Sequence, residues 1–245
     1  MRTKRGLALI LVGLLLIAAA LGLTAYNLLD NQRVKHQSAT VFEALIAVLE
    51  RRAAETGQVR GDEEGPVWET DGQSPGETQN SIHPGGTQTH EGQARPETPQ
   101  EEDVTLPDYE LNPEIPMPEA VIDGYTYIAL LRIPALGLEL PVMGDWSYEQ
   151  LRSAPCRYVG SIYNDTLVVM AHNYDSHFGR LYTLGYGDEV TLTDMHGNVF
   201  RYRVTEQEVL DGDDAEPIIY SDWDLTLFTC TIGGLNRVTV RCERI

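Results

Sequence analysis

Residues 225–245 have the sequence Leu225-Thr-Leu-Phe-Thr-Cys230-Thr-Ile-Gly-Gly-Leu-Asn-Arg237-Val-Thr-Val-Arg-Cys-Glu-Arg-Ile245, which predicts two short β-strands joined by a Gly-Gly turn. Apolar residues alternate in both strands, at Leu225 and Leu227 in the first and at Val238, Val240 and Cys242 in the second. Side chains of a strand point alternately to opposite faces, so a one-residue slip would move an apolar set away from the core. If both sets face one core, Leu227 lies opposite Val240.

The same register places Cys230 opposite Arg237 on the outer face of the hairpin. A cation beside a cysteine favours the thiolate, and it can also bind an oxyanion. Arg241 lies on the same face as Arg237 and is therefore the second candidate cation. The strand pattern alone leaves open an alternative, a surface hairpin with an incidental cysteine.

The composition limits the class of protein. The chain has 245 residues, enough for one or two domains, and its net charge of -19 argues against nucleic acid as a partner. It has three cysteines, so at least one of them is free. Cys230 and Cys242 lie about five strand positions apart, too far for a disulfide. Cys156 and Cys242 are predicted to be small buried hydrophobic residues.

The N-terminal segment, residues 1–29, is predicted to be a cytoplasmic tip followed by a transmembrane signal anchor. A bilayer span needs about 20 apolar residues, and residues 6–23 are almost entirely apolar. The cationic flank before Gly6 predicts that the rest of the chain is extracellular, behind a single membrane pass. The alternative is a cleaved signal peptide, because Ala18-Ala19-Ala20 resembles a cleavage site.

Two further segments precede the globular region. Residues 30–56 have apolar residues at helical spacing and predict a juxtamembrane helix. Residues 57–119 are rich in Gly, Pro, Glu, Thr and Gln, and they predict an acidic disordered linker. Within this linker, the Pro-spaced run 106–118 is a candidate lid that docks on the domain.

Residues 120–245 have the pattern of a mainly β domain. Short apolar strands follow one another closely, with Gly-containing turns between them, which predicts a closed β-barrel with short helices. The predicted strands before the final hairpin are 125–133, 138–142, 166–170, 189–193, 199–204 and 206–210, and residues 147–152 are predicted to form a helical turn.

A cysteine nucleophile needs a base or an ion-pair partner, usually a histidine. His172 follows the most apolar strand, and the end of a strand is a common place for a functional residue on a rigid scaffold. His177 lies in the loop that follows, and His196 lies in a predicted hairpin turn. His172 is therefore the preferred partner of Cys230.

Several separated motifs resemble those of the sortases, which are membrane-anchored cysteine transpeptidases of Gram-positive bacteria. The resemblance covers about residues 125–245. It is carried by Ala171-His172-Asn173, His177-Phe178-Gly179-Arg180-Leu181, Gly187-Asp188-Glu189-Val190, Leu225-Thr-Leu-Phe-Thr-Cys230 and Arg237-Val-Thr-Val. Ala171 departs from the glycine found in many sortases. The lack of an obvious Asp-Pro-aromatic lid motif argues against a pilin-polymerising subclass.

The resemblance implies a sortase-like barrel in which His172, Cys230 and Arg237 are catalytic. Cys230 would form a thioester with a sorting signal similar to Leu-Pro-x-Thr-Gly, Arg237 would hold the carbonyl or oxyanion, and His172 would transfer protons. Thr229, Asn173 and His177 are the expected substrate-binding residues. No metal and no cofactor is expected.

The implied partners are secreted proteins with a C-terminal sorting signal and an amine acceptor, either a cell-wall precursor or a pilin lysine. The alternatives are a catalytically inactive peptide-binding module and a cysteine protease that hydrolyses without transfer. The carboxylates of residues 211–216 could bind calcium, although a solvated loop is the simpler interpretation.

Overall fold

The computed structural model describes residues 2–56 and 106–245, except for the side chains of residues 2–10, 27–28, 30–31 and 56. Most of the predicted linker, residues 57–105, therefore lies outside the described residues. The described helices are α1 (Arg2–Thr56), α2 (Asp108–Leu111) and α3 (Glu216–Ile219). The strands are β1 (Ala120–Ile122), β2 (Tyr125–Ile133), β3 (Leu138–Met143), β4 (Cys156–Val159), β5 (Leu167–Met170), β6 (Glu189–Asp194), β7 (Val199–Asp211), β8 (Leu225–Cys230) and β9 (Asn236–Arg244).

Eight of these strands close into a barrel. The order is β2-β3-β4-β5-β8-β9-β7-β6, and β6 pairs back onto β2 to close the ring. β1 adds a short antiparallel extension beside the first residues of β2. The pairs β3–β4 and β5–β8 are parallel, and the remaining pairs are antiparallel. The predicted mainly β, closed barrel is confirmed.

The strand boundaries follow the apolar pattern closely. β2 begins and ends where the sequence predicts, and β3, β5 and β6 differ from prediction by one residue at one end. The two strands predicted on either side of Thr205 are a single strand, β7, with a bulge between Val204 and Glu206. Pairing with β9 continues on both sides of the bulge, so the local change in alternation does not end the strand. The sequence did not predict β1 and β4.

The barrel interior forms the main hydrophobic core. Alternate side chains of the strands point inward, and the bulge in β7 divides an alternately buried half from a more exposed half. The innermost side chains include Ile128, Leu131, Leu192, Leu227 and Val240, each fully buried. This packed interior gives a rigid support for side chains at the ends of β5, β8 and β9.

The N-terminal helix continues without a break across the predicted boundary between residues 29 and 30. α1 is one helix of 55 residues, and its C-terminal part packs against the outside of the barrel. Its buried side chains recur three or four residues apart, as expected for one face of a helix: Val34, Ser38, Phe42 and Leu45. Among the residues that the structure describes, no helix meets the length and hydropathy expected of a membrane span.

Contacts with the barrel make α1 part of the folded domain. Phe42 and Leu45 pack with Tyr127, Leu130 and Met143 of β2 and β3. Arg52 adds polar contacts by donating hydrogen bonds to the backbone carbonyls of Met195 (2.6 Å) and Glu119 (3.1 Å). A fragment that begins near residue 120 would therefore expose an apolar surface that α1 normally covers.

We expect Phe42→Ala to lower the free energy of unfolding by about 3 kcal/mol, because the lost ring leaves a cavity between α1 and the barrel. Denaturant unfolding of the full chain measures this change. The matched control is Glu43→Ala, one residue along the same helix but exposed, which should change stability by less than about 0.5 kcal/mol. Equal stability losses for the two variants would contradict the packing of α1 on the barrel.

The segment that leads into the barrel also packs against it, although the sequence places it in the linker. Tyr109 of α2 stacks on Tyr163, with ring centroids 4.8 Å apart and planes 7° apart. Tyr109 also contacts Phe200, and Met117 is buried in the main core. The packed domain therefore includes residues before 120, because the side chains of Tyr109 and Met117 contact the barrel.

Candidate active site

The pairing of β8 with β9 follows the register predicted from the apolar alternation. Leu227 pairs with Val240, and Cys230 pairs with Arg237. Cys242 points into the buried core, whereas Cys230 is exposed. The sheet therefore places a thiol and a guanidinium side by side at one end of the barrel.

His172 joins this pair through the parallel strands β5 and β8. Met170 is level with Phe228, and the Ala171 N–H donates to the Phe228 carbonyl at 3.2 Å. His172 and Cys230 each lie two residues beyond this level. Neighbouring strands lie about 4.8 Å apart, so the two residues end adjacent strands at the same height. His172, Cys230 and Arg237 all line one cleft of about 470 Å³.

Burial distinguishes Cys230 from the other two cysteines. All three are free. Desolvation raises the pKa of Cys156 to about 12, with a smaller effect from Asp145, and it raises the pKa of Cys242 to about 12. Both therefore remain thiols at neutral pH and act as core residues, as the sequence predicts. Cys230 is the exposed cysteine, and it opens onto the cleft.

The His172 ring is held by its neighbours in the loop after β5. Its Nδ1 accepts a hydrogen bond from the backbone N–H of Asn173 at 3.1 Å, which leaves the proton of the neutral ring on Nε2. The Asn173 Oδ1 also lies 3.1 Å from Nδ1, where it can accept a hydrogen bond from Nδ1–H when the ring carries a proton there. The ring stacks on Tyr174, with centroids 4.1 Å apart and planes 1° apart.

The Arg237 side chain is anchored at the hairpin turn. Nη1 donates to the carbonyls of Gly234 (2.9 Å) and Asn236 (3.2 Å). No hydrogen bond from Nε or Nη2 to a described residue is present, so these donors are available to a substrate oxygen. Gly212 lies against this turn: a Cβ there would lie 2.3 Å from the Leu235 carbonyl oxygen and 2.7 Å from Nη1.

We expect Gly212→Ala to lower kcat/KM for the reaction at this site about tenfold or more, because the added methyl group displaces the turn that holds Arg237. Steady-state kinetics with a fluorogenic peptide measures the effect. The matched control is Gly185→Ala: a Cβ there meets only Asp188 Oδ2, at 3.9 Å. Equal activity for both variants and the wild type would show that the turn does not position Arg237.

Arg241, the second candidate cation, is a structural residue. Its side chain is 2% exposed and pairs with Glu208 at 2.8 Å. It also donates to the Thr226 hydroxyl at 2.9 Å and to the Pro217 carbonyl at 2.6 Å. A buried guanidinium needs such partners to offset its desolvation, and it is not among the residues that line the cleft.

The structure places the three predicted substrate-binding residues differently. Asn173 lines the cleft. Thr229 also lines it, but the side chain is buried and its hydroxyl donates to the Ala171 carbonyl at 2.8 Å. This bond ties the strand of the cysteine to the strand of the histidine. The position of Thr229 therefore indicates that it supports the site.

His177, the third predicted substrate-binding residue, lies away from the cleft: its side chain is 0% exposed and does not line it. The His177 and Gly179 N–H groups both donate to the Tyr174 carbonyl, which turns the loop inward. The pKa of His177 is lowered to about 4, mainly by burial and to a smaller extent by the charge of nearby His172, while the Ser153 backbone partly opposes both effects. His177 is therefore neutral at pH 7.

An aromatic wall of the cleft was missed by the sequence analysis. It consists of Trp146, Tyr148, Tyr158 and Phe228. The Trp146 ring lies 6.1 Å from Tyr148 and 5.8 Å from Tyr158, and Tyr158 meets Phe228 edge-on at 5.3 Å. The available signal was the pair of aromatic residues Trp146 and Tyr148 just after the predicted strand 138–142, since exposed aromatics are enriched at binding surfaces.

Two other features singled out in the sequence do not contribute to the cleft. No residue of the candidate lid, 106–118, lines it. Within the described ranges, no group of His, Cys, Asp or Glu side chains is arranged to hold a metal ion. Asp211 and Asp214 instead accept hydrogen bonds from the backbone N–H groups of Asp213 and Glu216.

Residues 131–245 match the family model described as the sortase domain. This part of the chain belongs to the sortase family. The matched region contains β3 to β9, and therefore His172, Cys230 and Arg237. α1, β1 and most of β2 precede the part of the sortase domain that is matched. A comparison with curated proteins finds no match.

Solved sortase structures are similar to about half of the chain. Sortase A from Corynebacterium diphtheriae is 22% identical, with 49% of this chain and 61% of that chain covered and a TM-score of 0.46. Sortase C1 from Streptococcus agalactiae is 26% identical, with 51% and 70% covered and a TM-score of 0.45. Sortase C of Streptococcus pneumoniae is 25% identical, with 49% and 68% covered and a TM-score of 0.43. The chain spans about three fifths of the sortase A structure.

Proposed function

We propose that this protein is a cysteine transpeptidase that cleaves a sorting signal in secreted proteins and joins the acyl part to an amine. The observation that carries the proposal is the meeting of Cys230, Arg237 and His172 in one cleft, at the adjacent ends of β5, β8 and β9. A nucleophile, a cation and a proton carrier are the groups that acyl transfer requires. The sortase domain match covers all three residues.

In the first half-reaction, the Cys230 thiolate attacks the scissile carbonyl carbon of the sorting signal. The Sγ–C bond forms, and the C–N bond breaks when the tetrahedral intermediate collapses. The departing amine takes a proton from the His172 imidazolium. The Arg237 guanidinium stabilises the negative charge that develops on the carbonyl oxygen, through donors that the hairpin turn leaves available.

In the second half-reaction, the acceptor amine attacks the thioester carbonyl. Neutral His172 takes the proton of the attacking amine, the new C–N bond forms, and the C–S bond breaks to regenerate Cys230 as the thiolate. The exchange leaves the protein unchanged and replaces one amide bond with another. No metal or cofactor takes part in this scheme.

The proposed substrates are secreted proteins with a C-terminal sorting signal similar to Leu-Pro-x-Thr-Gly. The acceptor is an amine of a cell-wall precursor or a pilin lysine. The aromatic wall of Trp146, Tyr148, Tyr158 and Phe228 supports a peptide substrate, because it offers apolar contact area next to Cys230. A single-pass membrane anchor in residues 1–29, with the catalytic domain outside the cell, belongs to the same proposal and rests on the sequence.

The test is a ligation assay with the full chain, a small library of sorting-signal peptides and an amine acceptor. A transpeptidase gives a ligated product whose amount rises with acceptor concentration. Hydrolysis that the acceptor does not redirect would contradict transfer and identify a cysteine protease. Peptide binding without cleavage would identify an inactive binding module.

A further inference from the structure

Behind the catalytic cysteine, three aromatic side chains form a row that leads from the cleft into the interior: His172, Tyr174 and His177. His172 stacks flat on Tyr174, with ring centroids 4.1 Å apart. Tyr174 in turn meets His177 at 5.8 Å, with an angle of 47° between the planes. The row connects the half-buried His172 ring to the fully buried His177 ring.

The position of His172 needs such support because the residue lies beyond the end of β5. The described hydrogen bonds of its ring both come from Asn173, the next residue in the same loop. Contacts within one loop move with that loop, so they fix the ring relative to the loop and not relative to Cys230.

His177 supplies a fixed point on the far side of Tyr174. It is 0% exposed, and neither ring nitrogen makes a hydrogen bond of normal geometry with a described residue. The Ser153 backbone is a weak polar partner of the ring, and a poorly hydrogen-bonded buried imidazole costs free energy, so hydrogen bonding alone does not explain its place in the interior. Its remaining interaction with the site is the contact of its ring with Tyr174.

The loop closes tightly around this ring. The Phe178 N–H donates to the His172 carbonyl at 3.1 Å, and the Gly179 N–H donates to the Tyr174 carbonyl at 2.8 Å. A Cβ on Gly179 would lie 2.7 Å from the carbonyl oxygens of both Asn173 and Tyr174. The backbone therefore leaves little room for the row of rings to shift.

We propose that His177 is a positioning residue, which through its contact with Tyr174 holds the His172 ring in the orientation needed for proton transfer beside Cys230. The proposal rests on the proposed function of His172, but the position of the His172 ring can be measured without any turnover. It predicts that the shape of the ring at position 177 matters and that its ability to bind a proton does not.

The test compares His177→Ala, which removes the support, with His177→Phe, which keeps a ring of similar size. In the ligation assay with the full chain, we expect His177→Ala to lower kcat about tenfold or more with little change in KM, because displacement of a catalytic group costs rate. His177→Phe should restore kcat to within about threefold of wild type. The matched control is Leu192→Ala, which opens a cavity in β6 on the opposite side of the barrel.

A second readout follows the ring directly. In a Cys230→Ala background, NMR of the His172 ring protons should show the ring-current shift caused by the Tyr174 stack. His177→Ala should reduce this shift, whereas His177→Phe and Leu192→Ala should preserve it. A normal shift and normal kcat in His177→Ala would overturn the proposal, as would a loss of kcat in His177→Phe equal to that in His177→Ala. If the wild type lacks transfer activity, the proposed function fails, and the ring-current comparison still decides whether His177 positions His172.

Discussion

Cys230→Ala is expected to lower the rate of sorting-peptide cleavage by at least about 10³-fold, since loss of a covalent nucleophile removes the step on which the other groups act. The thiol projects from the end of β8 into the cleft, where little of the fold depends on it. The free energy of unfolding should therefore stay within about 0.5 kcal/mol of wild type. Cleavage of a fluorogenic peptide, with denaturant unfolding in parallel, measures both quantities.

The matched control is Cys156→Ala. This cysteine is fully buried, and desolvation raises the pKa of its thiol to about 12. Its replacement should lower stability by about 1 kcal/mol through loss of packing and leave kcat of the folded protein unchanged. Activity that survives in Cys230→Ala, or disappears in Cys156→Ala while the protein is folded, would show that the nucleophile is elsewhere.

His172→Gln is expected to have the next largest effect and to lower kcat by about 10²–10⁴-fold. Glutamine retains hydrogen-bonding capacity but cannot carry a proton between the thioester steps. KM should change much less than kcat, since the aromatic wall and Arg237 remain in place. Steady-state kinetics of peptide cleavage separates the two constants.

The matched control for this variant is His196→Gln, an exposed histidine in the turn between β6 and β7. It should retain wild-type kinetics. A His172→Gln variant with unchanged kcat would mean that another group protonates the leaving amine. The kinetics would then assign the proton transfer to another residue that lines the cleft and not to His172.

The register of the hairpin formed by β8 and β9 was predictable from the sequence, because burial of the apolar side chains decides it. With both apolar sets facing one core, Leu227 had to meet Val240, and the pairing of Cys230 with Arg237 followed. The choice of Arg237 over Arg241 was not available from alternation, since both lie on one face. The structure distinguishes them by partners: Arg241 is buried against Glu208, whereas Arg237 lines the cleft.

The parts that the sequence did not predict depend on contacts between distant segments. Helical spacing showed that residues 30–56 have an apolar stripe, but not that the stripe packs on β2 and β3. The acidic composition around Tyr109 gives no sign that its ring stacks on the distant Tyr163. His177 lies in a polar loop, and local sequence gives no sign that the backbone turns its ring inward.

The most direct test of the account is mass spectrometry of the full chain during turnover of a sorting peptide without an amine acceptor. We predict a covalent adduct equal in mass to the acyl part of the peptide. Proteolysis should locate it on Cys230, and hydroxylamine or an added amine should release it, as expected for a thioester. Cleavage without an adduct on Cys230, or an adduct on another residue, would contradict the transpeptidase mechanism.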